Sequence, residues 1–488
     1  MEGTHLKLSA KAAALLAFAV PLCLYLASGS VGLVSGDTAP NSYVPVSLLL
    51  DGDPVFSPLE APLLFVWKEK HGAEQVPVDV QSWTQRGFAG TFADEYRRGQ
   101  LSLYAPRYYL VPTLRTLGSG EPLFASAFGP APGLAALPAT AIAAALGANL
   151  NDAFVVFRIA KATAALLIAA SAGMVFFAAL VFLSRERALL LAGLYALGTC
   201  VWTTSSQDLW QQTPEIFFLS LGVLCLLRGK GVATRGALAG LAMFAAATCR
   251  PTAAVVTLAA AAFLVRADRR SLIAYVAAGV PIVAALVLYN LYYFGAPLEF
   301  GQLAVGEMVA QWKTGSTDLW QTPIWLGAAG LMLSPSRGLL VYTPFFAAGF
   351  VGTVLAWRNE RYITLRFLSI AVALLWLPAF AWFDWWGGWT YGYRPIVDTA
   401  PLLAMLCIPA LEAMRRPAAK AAFAVAAGWS VLIQVLGVVA YTPAAWNAQR
   451  ADGTPANIDL PEHRDRLWSL RDSQIAYLLA QIGTSRQR

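Results

Sequence analysis

Histidine, charge and paired cysteine are all scarce in this 488-residue chain. Charged residues make up only 13% of it, which is too few for a soluble globular protein of ordinary composition. The three histidines stand far apart, at His5, His71 and His463, so a zinc centre built on imidazoles is not expected. Five cysteines occur singly, without a Cys-x-x-Cys spacing: Cys23, Cys200, Cys225, Cys249 and Cys407. This pattern indicates free buried thiols rather than a disulfide or metal framework.

Apolar residues dominate the composition instead. They account for 58% of the chain, and the mean hydropathy is +0.57. These values predict a polytopic membrane protein. The formal net charge of +7 does not indicate nucleic-acid binding, because Lys and Arg lie mostly in short connections beside apolar runs.

The apolar runs predict an all-α helical bundle with about eleven transmembrane helices, at roughly 20 residues a crossing. The first run follows Lys7 and Lys11 and resembles a secretory signal, but its length and the absence of a cleavage site predict a retained span. The predicted crossings lie near 11–34, 154–183, 188–205, 214–228, 236–249, 252–265, 271–290, 338–357, 364–382, 397–413 and 420–441.

The connections between these runs alternate in character. One set is short and basic, and it includes Arg185 and Arg187, Arg228 to Arg235, Arg266 to Arg270, Arg358 to Arg366, and Arg415 to Lys420. By the positive-inside rule this set is cytoplasmic, as is the N-terminus. The other set carries Asp, Trp, Tyr, Gly and isolated Arg, and we expect it at the outer, periplasmic face of a bacterial inner membrane.

Three stretches do not fit spanning helices. Residues 35–153 form a long first outer segment, in which the apolar run Leu134 to Leu146 is too short to span and predicts an interfacial or re-entrant juxtamembrane helix. Residues 291–337 form a second long outer segment. Residues 442–488 form a short polar tail at the outer face, so the predicted transmembrane catalytic domain covers residues 1–441.

Two acids at the outer face are candidate catalytic residues. Asp37 directly follows the first span, where a carboxylate could take a proton from a hydroxyl group, although Asp after Gly36 also favours a simple turn. Asp208 lies in the next short outer connection, with Glu215 at the start of the following helix. Acids from two loops could bind a divalent cation, whereas helix capping alone would explain Glu215.

Three isolated arginines, Arg250, Arg337 and Arg394, lie at outer membrane borders, against the inward bias of the basic residues. Arg suits phosphate because its planar guanidinium donates paired hydrogen bonds and stays charged. A polyprenyl phosphate would present such a group at this depth. The alternative is that each arginine snorkels to lipid headgroups.

An aromatic run next to Arg394 is a candidate sugar-binding loop. Gly387, Gly388 and Gly392 permit a tight loop that presents flat rings for stacking on a sugar. Aromatic belts at membrane interfaces are the alternative explanation. The predicted sugar-binding residues are Trp385, Trp386, Trp389 and Tyr391.

Roughly residues 10–440 resemble the GT-C superfamily of membrane glycosyltransferases, because similar segments follow one another in the same order. This superfamily includes protein O-mannosyltransferases and the lipid A aminoarabinose transferase. The resemblance rests on Gly36-Asp37, Leu134 to Leu146, Asp208, Tyr289-Asn290 with Phe294-Gly-Ala-Pro297, Leu333-Ser-Pro-Ser-Arg-Gly-Leu339, and Trp385-Trp-Gly-Gly-Trp-Thr-Tyr-Gly-Tyr-Arg394.

The resemblance implies inverting transfer of a hexose or pentose from a polyprenyl-phosphate donor to a glycan, lipid or protein acceptor. Asp37 matches the family's catalytic base in position, and Asp208 matches its second acid. This chain has Asp37-Thr38 where many relatives have Asp-Glu, and it lacks the partner acid of an Asp-x-Asp, so a metal requirement is open. A transporter or flippase of a lipid-linked saccharide is the main alternative, and a non-catalytic membrane scaffold is the third.

Overall fold

The computed structural model describes residues 9–29, 35–71, 74–78, 101–106, 109–116, 120, 122–228 and 231–485. Helices dominate these residues, as the apolar runs predict. The helices of eight residues or more span Ala10–Ala27, Ala39–Leu50, Leu137–Ala145, Ala153–Ala179, Arg185–Leu197, Gln212–Arg228, Val232–Cys249, Ala254–Ala267, Arg269–Phe294, Gly301–Thr314, Ile324–Leu333, Ala347–Arg358, Ile363–Ala381, Pro417–Ala440 and Gln474–Ser485. Shorter α-helices span Ala131–Leu134, Leu339–Tyr342, Ala400–Leu406, Ile408–Ala413 and Ala445–Ala448.

Seven helical segments in the described ranges are long and apolar enough to cross a bilayer, so the chain is a membrane protein. They span Ala10–Ala27, Ala153–Ala179, Val232–Cys249, Arg269–Phe294, Glu360–Ala381, Arg394–Ala413 and Pro417–Ala440. Each matches one of the eleven predicted crossings. Lys7, residues 30–34 at the end of the first predicted span, and Lys230 lie outside the described residues.

The other four predicted crossings coincide with shorter helices. These are Arg185–Leu197, Gln212–Arg228, Ala254–Ala267 and Ala347–Arg358. A helix rises only about 1.5 Å per residue, so the three with 13, 14 and 12 residues fall short of a bilayer core, and Gln212–Arg228, with 17, reaches only the lower end of the spanning range. The total of eleven therefore stays a prediction.

The first long segment contains strands that the sequence analysis did not predict. Strands β1 (Phe65–His71), β2 (Glu74–Val78) and β3 (Leu101–Pro106) form an antiparallel sheet in the order β2-β1-β3. Strands β4 (Leu110–Thr116) and β5 (Pro122–Ser126) form a second antiparallel pair. The strands are five to seven residues long, too short for their alternation to stand out beside the helical runs.

The same segment also contains the predicted short helix. It forms over Leu137–Ala145, and nine residues cannot span a bilayer. The preceding Ala131–Leu134 turn packs closely on the Ala39–Leu50 helix, where a Cβ added at Gly133 would lie 2.5 Å from the Val44 Cβ atom. This contact fixes the chain that follows Asp37.

The bundle has two ends of unlike composition. At one end, which we term the basic end, Arg187 donates to the Leu411 carbonyl at 3.2 Å and Arg361 pairs with Glu412 at 2.8 Å. At the other end, which we term the Asp37 end, contacts join Asp37 to Arg394, and Arg250 to Asp398. Arg187 and Arg361, from two of the basic connections, therefore both contact the end of the Ile408–Ala413 helix, away from Asp37 and Arg250.

The C-terminal residues pack into the Asp37 end. The side chains of Trp446 and Arg466 are fully buried. Ser334 Oγ donates to the Leu467 carbonyl at 2.6 Å, and Gln474 Nε2 donates to the Thr390 carbonyl at 3.0 Å. The segment predicted as a polar tail thus supplies buried hydrogen-bond partners to the loops that contain Ser334 and Thr390.

Candidate active site

Asp37 and Arg394 meet at the centre of the Asp37 end. Asp37 lies in the turn that precedes the Ala39–Leu50 helix, and Arg394 begins the 3-10 turn Arg394–Thr399. An Arg394 Nη2 donates to Asp37 Oδ2 in a salt bridge whose side chains are 12% and 18% exposed. The pair is thus shielded from bulk water but still open to a ligand.

Asp208 joins this pair through the residue that follows Asp37. Thr38 Oγ1 donates to Asp208 Oδ2 at 2.5 Å, and the Leu209 amide donates to Asp208 Oδ1 at 2.8 Å. Asn41 Nδ2 also donates to the Leu209 carbonyl at 3.0 Å. The two predicted catalytic acids and Arg394 are therefore brought together, although Asp208 reaches the site through Thr38.

Trp210 forms the floor under Arg394. The Arg394 guanidinium carbon lies 4.0 Å from the centroid of the Trp210 ring, within the range of a cation–π contact. Trp210 is only 3% exposed, so the ring that contacts the guanidinium is itself held by the surrounding protein. Trp210 follows Asp208 by two positions and was not among the predicted site residues.

Several buried polar atoms around this floor have no hydrogen-bond partner among the described residues. They are Ser205 Oγ, Trp210 Nε1, Gln211 Oε1, Gln212 Oε1 and Arg394 Nε. Buried polar atoms nearly always find a partner, so each exception calls for a bound molecule or a functional reason. Donors and acceptors are mixed here, which suits a ligand that carries hydroxyl or phosphate groups.

Tyr109 is a member of the site that the sequence analysis missed. The negative charge of Asp37 is the largest influence that raises the pKa of the Tyr109 phenol, and burial raises it further. The phenol therefore stays protonated at neutral pH. The residue lies one position before strand β4, a short strand without a clear alternating pattern.

Lys161 borders the site from the Ala153–Ala179 helix. Its Nζ donates to Gln207 Oε1 at 2.7 Å and to the Ser28 carbonyl. The side chain is buried, so this lysine faces the protein, whereas the neighbouring Arg158 is exposed. Lys161 thereby ties the end of the first helix to the loop that carries Asp208.

Arg250 occupies a neighbouring site. It pairs with Asp398 and donates to the Pro395 carbonyl at 3.2 Å, directly after Arg394 in the chain. Glu215 is fully buried near this pair, in the first turn of its helix. Arg250 is thus paired with a carboxylate. It also contacts the backbone of the residue that directly follows Arg394 in the chain.

Arg337 is fully buried, and its guanidinium is hydrogen-bonded to other groups of the protein rather than open to a ligand. Its donors reach the carbonyls of Trp386 at 2.8 Å, Ser336 at 2.9 Å and Gly388 at 3.1 Å, and also Asn447 Oδ1 at 2.9 Å. A phosphate would have to displace these partners. The structure therefore separates Arg337 from Arg394, although the sequence analysis treated them alike.

The predicted sugar-binding aromatic residues also differ in their exposure. Trp385, Trp386 and Tyr391 are at most 4% exposed, and the Tyr391 hydroxyl donates to the Ile433 carbonyl at 2.6 Å. Their faces pack against protein, so they offer no platform to a sugar in this conformation. Trp389 is 37% exposed, and its Nε1 donates to Asn457 Oδ1 at 3.0 Å.

Lys313 fixes the aromatic loop from the other side. Its Nζ donates to Asp384 Oδ2 at 2.6 Å and Asp459 Oδ1 at 2.7 Å. Burial on its own lowers the pKa of Lys313, but the two carboxylates outweigh burial and raise it. Burial, and then the charge of Asp384, raise the pKa of Asp459. The charges of both acids also reach Tyr109, so this cluster borders the site.

Both candidate acids are engaged by groups of the protein itself. Over the part of the chain that the structure describes, no three His, Cys, Asp or Glu side chains come together in a group that could hold a metal ion. Asp37 is paired with Arg394, and Asp208 accepts from Thr38 and Leu209. The pair of acids proposed as oxygen ligands is therefore engaged with a cation and hydrogen-bond donors of the protein itself.

Comparisons with protein-family models, with curated proteins and with solved structures find no match to this chain. Its function is therefore argued from the contacts described above.

Proposed function

We propose that this protein is an inverting membrane glycosyltransferase that uses a polyprenyl-phosphate sugar as donor. The observation that carries the proposal is the meeting of Asp37 with Arg394 above Trp210, next to buried polar atoms that lack partners. A carboxylate beside an arginine supplies both groups that sugar transfer from a phosphate needs. One accepts a proton, and the other stabilises a negative leaving group.

In the proposed reaction, an acceptor hydroxyl oxygen attacks the anomeric carbon of the donor sugar. Asp37 takes the hydroxyl proton as the new carbon–oxygen bond forms. The bond between the anomeric carbon and the phosphate oxygen breaks, and its electron pair leaves with the phosphate. Arg394 neutralises the charge that develops on this phosphate. A single displacement of this kind inverts the anomeric configuration.

In the proposed reaction, binding of the donor releases Asp37 from its salt bridge with Arg394. A phosphate that binds Arg394 competes with the Asp37 carboxylate for the same guanidinium. Once Arg394 turns to the phosphate, Asp37 is free to accept a proton. Thr38, held by Asp208, keeps the adjacent backbone in place during this exchange.

The contacts of three basic residues support an orientation for the proposed enzyme. The basic end gathers Arg187, Arg228 and Arg361, so the positive-inside rule assigns it to the cytoplasm. The Asp37 end then faces the outer side of the membrane. The donor carrier would lie in the bilayer with its phosphate at the level of Arg394.

The test is an assay of the purified protein with a panel of polyprenyl-phosphate hexoses and pentoses, in the presence of membrane extracts as a source of acceptor. We expect release of carrier phosphate from at least one donor. Asp37→Asn should lower the rate about 10²- to 10⁴-fold, the usual contribution of a general base. The matched control is Asp51→Asn, because Asp51 is an exposed carboxylate at the end of the next helix.

Two results would contradict the proposal. Release from no donor, with acceptor extracts supplied, removes the enzyme assignment. An unchanged rate in Asp37→Asn removes Asp37 as the base. Movement of a labelled donor between the leaflets of a vesicle without phosphate release would instead support a flippase.

A further inference from the structure

A second pair of acids lies beside the site, and neither acid has a role in the proposed transfer. Glu215 is in the first turn of the Gln212–Arg228 helix, and Asp398 is in the 3-10 turn Arg394–Thr399. The helix packs directly on this turn. Glu215 is completely buried, and Asp398 is 2% exposed. Both carboxyl groups are therefore enclosed by the protein.

The charges of this pair do not balance without one more positive charge. The Glu215 carboxyl lies within hydrogen-bonding reach of the Asp398 carboxyl, and Arg250 forms a salt bridge with Asp398. Arg394, on the same turn as Asp398, is already paired with Asp37. Arg250 thus brings one positive charge to two carboxyl groups. If both acids were ionised, one buried negative charge would be left uncompensated, which is costly in a low-dielectric interior.

The hydrogen bonding of Glu215 indicates how this charge is neutralised. Among the described residues, no N–H or O–H group donates to either carboxylate oxygen of Glu215. Two ionised carboxylates cannot bond to each other because both only accept, whereas a protonated carboxyl donates one hydrogen bond. A proton on Glu215 would therefore make the bond to Asp398 and leave Asp398 alone to balance the charge of Arg250.

Arg250 connects this pair of acids to Arg394. It pairs with Asp398 near one end of the 3-10 turn and donates to the Pro395 carbonyl at 3.2 Å near the other end. Pro395 directly follows Arg394, so Arg250 braces the turn whose first residue contacts Asp37. The orientation of the Asp398 carboxyl thus helps to set the backbone that carries the Arg394 guanidinium.

We infer that Glu215 and Asp398 bind one proton between them, and that Glu215 is a positioning residue that holds Arg394 in place for the donor phosphate. The proton site is independent of the proposed function, whereas the role towards the donor rests on it. Carboxyl groups share a proton where they lie too close together for both to ionise. Glu215 acts here through Asp398 and Arg250, without contact to the substrate.

Infrared spectroscopy of the purified full-length protein at neutral pH tests the proton directly. A protonated carboxyl has a C=O stretching band that is separate from the bands of carboxylates. We expect a band of this kind in the wild type that is lost in Glu215→Gln, because the amide donates to Asp398 in place of the proton. The matched control is Glu307→Gln, which changes an exposed glutamate and should keep the band. A band that persists unchanged in Glu215→Gln, or its absence from the wild type, overturns the shared proton.

Thermal unfolding in detergent distinguishes a neutral Glu215 from an ionised one. Glu215→Gln preserves the shape of the side chain and a donated hydrogen bond, so its melting temperature should stay close to that of the wild type. Glu215→Ala removes the donor and leaves a cavity, so its melting temperature should fall by about 5 °C or more. Equal destabilisation of the two variants would mean that the charge of Glu215 matters, and it would overturn the inference.

Kinetics tests the positioning role. In an active enzyme, Glu215→Ala should raise the KM for the donor about tenfold and leave the KM for the acceptor unchanged, and Glu215→Gln should keep the donor KM of the wild type. A merely structural role would lower the yield of folded protein without separating the two KM values. A normal donor KM in folded Glu215→Ala overturns the positioning role. A protein that releases no carrier phosphate, but loses the infrared band in Glu215→Gln, keeps the proton site and removes the proposed enzyme.

Discussion

Arg394 donates a charged hydrogen bond to Asp37, a residue 357 positions earlier in the chain. This ion pair joins the turn after the first helix to the loop that precedes the Ala400–Leu406 helix. A charge-assisted bond of this kind is roughly twice as strong as a neutral one, and its partial burial limits competition by water. The pair therefore both organises the Asp37 end and supplies the two reactive groups of the proposed transfer.

Arg394→Lys should separate charge from geometry. A lysine keeps the positive charge but cannot donate two parallel hydrogen bonds or lie flat on Trp210. We expect a loss of about 1.5–3 kcal/mol in donor interaction, or roughly ten- to hundredfold in kcat/KM. Steady-state kinetics with varied donor measures it. A wild-type value in Arg394→Lys would mean that only the charge matters.

Arg337→Met should destabilise the protein without a specific effect on the donor. Removal of the guanidinium leaves three buried carbonyls and the Asn447 amide oxygen without their donor. Each such orphaned group costs about 1–3 kcal/mol, so thermal unfolding in detergent should shift down by many degrees. Arg358→Met, at an exposed arginine, is the control. A stable Arg337→Met variant with a raised donor KM would restore Arg337 to the phosphate site.

Trp386→Ala and Trp389→Ala should differ strongly. Trp386 is 2% exposed and its Nε1 donates to Asp459 Oδ1 at 3.2 Å, so its loss should cost about 3–5 kcal/mol of unfolding free energy. Trp389 is half-exposed, and its truncation should cost about 1 kcal/mol, mainly the bond to Asn457. Denaturant unfolding followed by tryptophan fluorescence compares the two. Equal losses would argue against the buried packing of the aromatic loop.

The Lys313 cluster should make stability depend on alkaline pH. The two carboxylates raise the pKa of Lys313 in the folded protein above its ordinary value of 10.5, despite burial. Its contribution is therefore complete below about pH 10.5 and is lost as the pH rises through the higher folded value. Melting temperatures between pH 8 and pH 12 should show a fall in the wild type. Lys313→Met should be less stable at pH 8 and lack this step, and an identical profile would contradict the assignment.

Much of the fold is readable from the apolar runs, because a run of about 20 apolar residues can satisfy its backbone only as a helix in lipid. Each of the seven long apolar helices falls on a predicted crossing. Arg187, Arg228 and Arg361, from three of the basic connections, contact helix ends on one side of the bundle. The grouping of Asp37, Asp208 and Arg394 is also consistent with their predicted placement on one face. The strands between Phe65 and Ser126 were missed because short alternating segments carry a weak signal.

By itself, the sequence determined the seven long apolar helices and the set of polar residues available at the Asp37 end. The tertiary structure decided which of those residues have room for a ligand. Arg337 and Arg394 look alike in sequence, yet one is enclosed by carbonyls and the other is paired with a partly open carboxylate. The places of Tyr109 and of Glu215 beside Asp398 likewise depend on segments far apart in the chain. Local composition sets burial in lipid, whereas hydrogen-bond partners and open space depend on contacts between distant segments.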